Sequence, residues 1–179
     1  MTLPTFRYHP DPLASGSITA SDAECRRCRR SRGYIYTGPV YSETDLAEAF
    51  CPWCIADGSA SREFGATFVG SKAFPLELSA PVVAEVRERT PGYDTWQSEE
   101  WPACCNGATA FLAPAGIADI RKTWPELEGG ILGHIVYNMG VSGGAATRLL
   151  ESLNRDTGPT LYLFRCLDCG EYHFHIDRP

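Results

Sequence analysis

A chain of 179 residues, 44% hydrophobic and 21% charged, has the composition of a globular protein and is long enough for one ordinary domain or two small lobes. A net charge of −6 and a pI near 5.2 exclude the basic footprint that a general nucleic-acid binder or a sensor of anionic membranes needs. The start, Met1 to His9, lacks the basic and apolar regions of a signal peptide, and no window approaches the roughly 18 apolar residues of a membrane span. The expected location is the cytosol, where thiols stay reduced and eight cysteines read as metal ligands before they read as disulfides.

The first 24 residues carry Phe6-Arg7-Tyr8-His9-Pro10-Asp11-Pro12, in which each X-Pro step biases the preceding residue to extended geometry. This predicts an ordered arm against the first lobe, with Phe6 and Tyr8 as anchors and His9 in an ordinary surface or packing role. Cys25-Arg26-Arg27-Cys28 follows, then the β-forming run Gly33 to Tyr41, broken at Gly38-Pro39, which predicts a hairpin or bent strand pair. Asp45 to Phe50 reads as a helical turn, Cys51-Pro52-Trp53-Cys54 as a second knuckle, and Ala56 to Phe64 as a short helix or irregular turn. In element order, this resembles a treble-clef zinc unit.

Residues 65–80 read as a connector. Ser79 is a candidate cap for a helix over Val82 to Arg89, with Val82, Val83 and Val86 on its apolar stripe and Thr90-Pro91-Gly92 ending it. Tyr93 to Trp101 is expected to be helical, with Trp96 on its apolar side and Glu99 and Glu100 facing solvent. Cys104-Cys105-Asn106-Gly107 is turn chemistry and Ala108 to Ala113 is strand-like. Helices are predicted over Gly116 to Trp124, over Pro125 to Tyr137 with a weak point at Gly129-Gly130, and over Gly143 to Leu153 with Ser142 as cap. Thr160 to Arg165, the knuckle Cys166-Leu167-Asp168-Cys169, and Tyr172 to Ile176 form a zinc-ribbon hairpin. The fold class is therefore α+β, in small zinc-stapled lobes: a treble-clef-like knuckle lobe over 1–75, and a helical lobe over 76–179 closed by the C-terminal zinc-ribbon hairpin.

Cys25, Cys28, Cys51 and Cys54 form two Cys-x-x-Cys pairs 22 residues apart, the spacing of a closed tetrahedral zinc shell. A closed shell has no open position for water or substrate, so this ion holds the fold. Cys-Pro-Trp-Cys also resembles a dithiol active site, but the companion pair upstream has no role in a redox scheme. The second zinc site is drawn from Cys166 and Cys169 with Cys104, Cys105 or both. Adjacent residues in an extended chain point apart. Either turn geometry at Asn106-Gly107 lets both sulfurs converge, or one sulfur binds and His173 or His175 completes the shell. No His-x-Glu precedes the relevant cysteines, so the acid/base of a zinc deaminase is missing, and no phosphate loop, nucleophile elbow or His-Glu-x-x-His is present. Gly140 to Gly144 reads as a helix-entry loop. The run Arg26, Arg27, Arg29, Arg30, Arg32 reads as a solvated basic edge, with phosphate binding as its functional alternative.

Phe6 to Leu13, Gly33 to Pro39, Cys51 to Gly58, Arg89 to Tyr93 and Phe164 to Gly170 together resemble the bacterial CbrC-like family, from residue 5 to about 172. The resemblance implies a cytoplasmic bacterial protein with cysteine-rich metal knuckles and a role in toxin immunity or colicin tolerance. That pattern has a His-Cys pair where Cys104-Cys105 stands and a further Cys where this chain has Thr109, which implies that Cys104 replaces the lost thiolate. The expected function is non-enzymatic: two structural zinc ions and an acidic surface that neutralises a basic bacterial toxin domain by direct binding. The alternatives are a nucleic-acid-associated regulator using the Arg26–Arg32 edge, and a metal-dependent or redox enzyme.

Overall fold

The computed structural model describes residues 2–179. Strands β1 (Ile18–Ala20) and β2 (Tyr34–Tyr36) pair antiparallel, with Thr19 opposite Ile35. The first knuckle therefore sits in the connection between them, and the run from Gly33 pairs backwards with the arm instead of folding on itself. Helices α1 (Pro52–Ala56) and α2 (Ser59–Phe64) follow, then α3 (Ala80–Arg89). Ser79 takes the N-cap position of α3, although its hydroxyl caps nothing. Residues 45–50 form turns without a helix.

The short strands β3 (Ala103–Cys104) and β4 (Gly107–Ala108) make a tight hairpin. Strands β5 (Ala110–Ala115), β6 (Thr160–Arg165) and β7 (Tyr172–Asp177) form an antiparallel sheet in that order, with β6 central. Between β5 and β6 lie α4 (Ile117–Thr123), a 3-10 turn at Pro125–Leu127, α5 (Glu128–Tyr137) and α6 (Gly144–Ser152). Gly143, not Ser142, takes the N-cap position of α6. Mixed helices and small antiparallel sheets make the chain α+β. No helix among the described residues is long and apolar enough to cross a membrane.

Strand alternation separates two apolar layers on this sheet. Leu161 and Ile176 meet Ala115, Ile120, Ile131, Ile135 and Leu150 under the helices. Tyr162 and Phe164 turn to the other face, where they join Tyr8, Tyr93, Trp101 and Phe111. A third cluster gathers Phe6, Ile18, Tyr36, Phe50, Ile55 and Phe68 around the first cysteine set. The arm thus bridges two clusters: Phe6 enters the first, while Tyr8 enters the aromatic one and its carbonyl accepts Phe111 N–H at 2.8 Å. His9 is fully buried between them. Its Nδ1 lies 2.8 Å from the Pro91 carbonyl, which can only accept, so Nδ1 carries the proton and Nε2 accepts from Ser15 Oγ at 2.7 Å. Burial lowers its pKa to about 4, so this imidazole is a neutral pin.

Residues 93–101 are not helical. Tyr93 and Trp101 lie with ring centroids 5.7 Å apart in one cluster. Eight helical steps would separate them by about 12 Å. The burial of both rings overrides the local pattern, and the Trp101 indole N–H is satisfied by the Thr109 carbonyl at 2.8 Å. The same loop turns Glu99 inward, against expectation. Its Oε2 accepts Gly70 N–H at 2.7 Å and Tyr41 O–H at 2.8 Å, while Oε1 has no partner among the described residues. Burial is the main cause that raises its pKa to about 7, with nearby Asp94 adding to it.

A carboxyl raised on folding favours the native state in its neutral form. That stability is complete below the unfolded value near 4.5 and is lost as pH rises through about 7. Glu99→Gln is therefore expected to flatten the fall in melting temperature between pH 5 and pH 8. It should recover on the order of 3 kcal/mol at the alkaline end. Parallel pH profiles for the wild type and the variant would refute this.

Candidate metal centres

The first set is built from a loop and a helix start. Cys25 N–H donates to Arg30 O at 3.1 Å and Arg29 N–H to Cys25 O at 2.8 Å, closing a tight knuckle. Cys51 is the N-cap of α1 in extended geometry (φ −80, ψ 154), as a residue before proline prefers, and Pro52 opens the helix. Cys54 then lies one turn on, and Cys51 N–H donates to Cys25 Sγ at 3.3 Å. The second set uses two hairpin tips. The Cys166 knuckle repeats the first one: Cys166 N–H to Glu171 O at 2.8 Å and Gly170 N–H to Cys166 O at 3.2 Å. Both knuckles need a left-handed residue after the second cysteine. Gly170 supplies it freely at φ 78, whereas Arg29 is held there at φ 56.

The opposing tip resolves the question of the vicinal pair. Cys105 and Asn106 are both left-handed, at φ 50 and φ 61, in the two-residue turn between β3 and β4. An extended chain would send the two sulfurs apart, but this turn brings Cys104 and Cys105 Sγ to 3.8 Å. Cys104 Sγ is also 3.7 Å from Cys169 Sγ, and Cys28 Sγ is 3.9 Å from Cys51 Sγ. Within each set all four sulfurs lie within 4.8 Å of one another. A tetrahedron of sulfurs about 2.3 Å from a zinc ion has edges of about 3.8 Å. Both sets have the donor chemistry and the spacing for a metal ion such as zinc, and their separations are far from the roughly 2.05 Å of a disulfide.

Crowding four thiols this closely creates an ionisation conflict. Cys25 accepts a hydrogen bond from Cys51, and this with its backbone donors lowers its pKa, while the same bond and burial raise that of Cys51. In the second set the amides of Cys169 and Asp168 lower Cys166, and the bond to Cys166 raises Cys104. A dication would resolve the conflict by taking all four thiolates.

Since both vicinal sulfurs converge, neither histidine is needed. His173 does stand beside the set, its ring within 4.8 Å of Cys104 Sγ and a Glu171 oxygen. His175 does not: its Nδ1 lies 3.3 Å from Glu100 Oε2 and its ring stacks on Tyr162. Thr109, at the position of the thiolate implied missing, is buried, and its hydroxyl donates to Pro102 O at 2.8 Å. Glu171 is the neighbour that the sequence did not single out, since a lone acid after a knuckle carries no spacing signal. Cys105→Ser is expected to halve the zinc content and leave the first site loaded, as read by mass spectrometry; retention of two ions per chain would contradict it.

The basic run beside the first set is largely engaged locally. Arg27 pairs with Glu63 at 3.0 Å and Arg29 with Glu24 at 3.3 Å. Arg26 lies over Phe64 and Arg32 over Trp53. A Zn(Cys)4 centre would carry a formal charge of −2, and Arg27, Arg30 and Arg32, which line a cavity with Cys28 and Cys54, would help to neutralise it.

A family model described as "Uncharacterised protein family (UPF0167)" matches residues 3–178. The chain belongs to the UPF0167 family. A UPF0167 protein of Pseudomonas aeruginosa is 43% identical over 179 residues, covering 98% of this chain and 97% of the relative. UPF0167 proteins of Mycobacterium bovis and Mycobacterium tuberculosis are 43% identical over 176 residues, with 98% and 93% covered. No solved structure matches the chain. The CbrC-like resemblance is corrected by these matches: the family model and the relatives carry the UPF0167 description and none carries the CbrC name. Short strings such as Cys51 to Cys54 are dictated by knuckle geometry and discriminate poorly between families.

Proposed function

We infer that this UPF0167 protein is a zinc-stapled, non-enzymatic module that binds another protein. The observation that carries the reading is the completeness of both donor sets. Each offers four thiolates at tetrahedral spacing, so an ion bound there has no position left for water or substrate. Both sets join segments distant in sequence, as an ion that holds a fold should. The net charge of −6 favours a basic partner through complementary fields and faster encounter. A toxin domain is one such partner. The immunity role came with the CbrC-like resemblance, and with that corrected it stands on charge alone. Pairing and stacking of the arginines beside the first site weigh against the nucleic-acid reading.

X-ray absorption at the zinc edge of the purified protein should give two ions per chain, each with four sulfurs at about 2.3 Å. The product of a neighbouring gene, if basic, should bind the loaded protein with a rate that falls as salt rises. An oxygen in either shell would replace this reading with a metal-dependent enzyme. Paired sulfurs oxidised to disulfides would replace it with redox chemistry.

A further inference from the structure

A cavity of about 270 Å3, lined by no cysteine, lies among the loop after α3, strands β5 and β6, and the α6–β6 connection. Tyr93, Phe111 and Tyr162 line it and are buried, whereas Trp96 leaves 41% of its surface open. That exposed ring is positioned: its Nε1–H donates to Thr160 Oγ1 at 2.9 Å, and the next residue, Gln97, donates its N–H to Asp177 Oδ2 at 2.7 Å. Three charged groups join the rings. Arg155 lies 3.7 Å from the carboxylate of its neighbour Asp156, so these two offset one another. Asp94 has no cationic partner among the described residues. Asp94 stays exposed to solvent, and the partial burial of its carboxyl against the cavity wall raises its pKa.

The geometry points to a binding site for an organic cation, an alkylammonium or guanidinium group held between the Trp96 ring and the Asp94 carboxylate. The ring quadrupole attracts such a group at its face, and the carboxylate supplies charge and hydrogen-bond acceptors. An anion would meet Asp94 with like charge. A neutral ligand would bury that carboxylate unpaired, which is costly. This deepens the reading of the protein as a partner-binding module and rests on it only for the origin of the cation. A lysine or arginine side chain of a basic partner and a free amine present the same chemistry.

The test uses the full-length, zinc-loaded protein and follows the Trp96 indole N–H by NMR, assigned with Trp96→Phe. The probes are Nα-acetyl-lysine amide, Nα-acetyl-arginine amide, tetramethylammonium and the neutral Nα-acetyl-norleucine amide. A saturable shift with cationic probes alone is expected, weakened roughly tenfold by Asp94→Asn and restored by Asp94→Glu. Tighter binding of the amino-acid amides assigns the cation to a protein side chain, and tighter binding of tetramethylammonium assigns it to a free amine. No saturable shift at tens of millimolar, or an equal shift with the norleucine amide, overturns the inference. If a basic partner is nevertheless captured, the site fails and the partner-binding reading survives.

Discussion

Cys51→Ser is expected to release one zinc ion per chain and to unfold the region around the first cysteine set. Cys51 contributes more than one ligand bond. It takes the N-cap position of α1, donates its N–H to Cys25 Sγ, and is 1% exposed within the cluster that contains Phe6, Tyr36, Phe50 and Phe68. Little regular structure is available to take over. The elements around this set are two three-residue strands and two helices of five and six residues, lengths that are marginal without tertiary support. Structural zinc contributes on the order of 10 kcal/mol in small modules, comparable to the whole stability of an ordinary domain. The variant should bind one zinc ion instead of two. The amides of Ile35 and Tyr36 should lose protection from hydrogen exchange, while those of β6 keep theirs. Unchanged melting with two ions bound would remove the claim that the first ion holds this region.

How much of this was legible in the sequence depends on whether the signal was local. The knuckle at Cys166 and the strands on either side of it follow from a continuous apolar run, a turn and a return run, all within 18 residues, and the hairpin pairs as expected with Leu163 opposite Phe174. The helices over 117–152 are likewise set by local periodicity. The failures are tertiary. Nothing near Gly33 announces that β2 pairs with Ile18–Ala20. Nothing between Tyr93 and Trp101 announces that both rings share one cluster, which unwinds the expected helix and carries Glu99 inside. The vicinal pair lies between these extremes. Asn106-Gly107 signalled a turn, but its left-handed start at Cys105, which aims both sulfurs at one point, could be read only from the backbone.

The junction between the first cluster and the aromatic one rests on a close backbone approach that the sequence did not reveal either. Gly92 reads locally as a helix stop, yet a Cβ added there would stand 1.9 Å from the Phe68 carbonyl oxygen and 3.1 Å from Glu99 Oε1. Its N–H is also engaged, donating to Tyr36 Oη at 3.1 Å. No rotamer change moves a backbone carbonyl, so Gly92→Ala must push the 68–70 segment away from the 90–93 turn. That shift would strain the Tyr36 bond and the Gly70 N–H that Glu99 accepts. Overpacking of this kind costs about 3 kcal/mol or more, which in a chain of this length lowers the melting temperature by roughly 10 °C. Gly133→Ala provides the contrast. Gly133 lies inside α5, and among the described residues outside its own helix backbone nothing comes within 4 Å of an added Cβ, so the change should stabilise by about 0.5–1 kcal/mol through helix propensity. A melting temperature for Gly92→Ala within a degree or two of the wild type would show that the two clusters can move apart freely. The zinc ions would then hold two loosely joined halves.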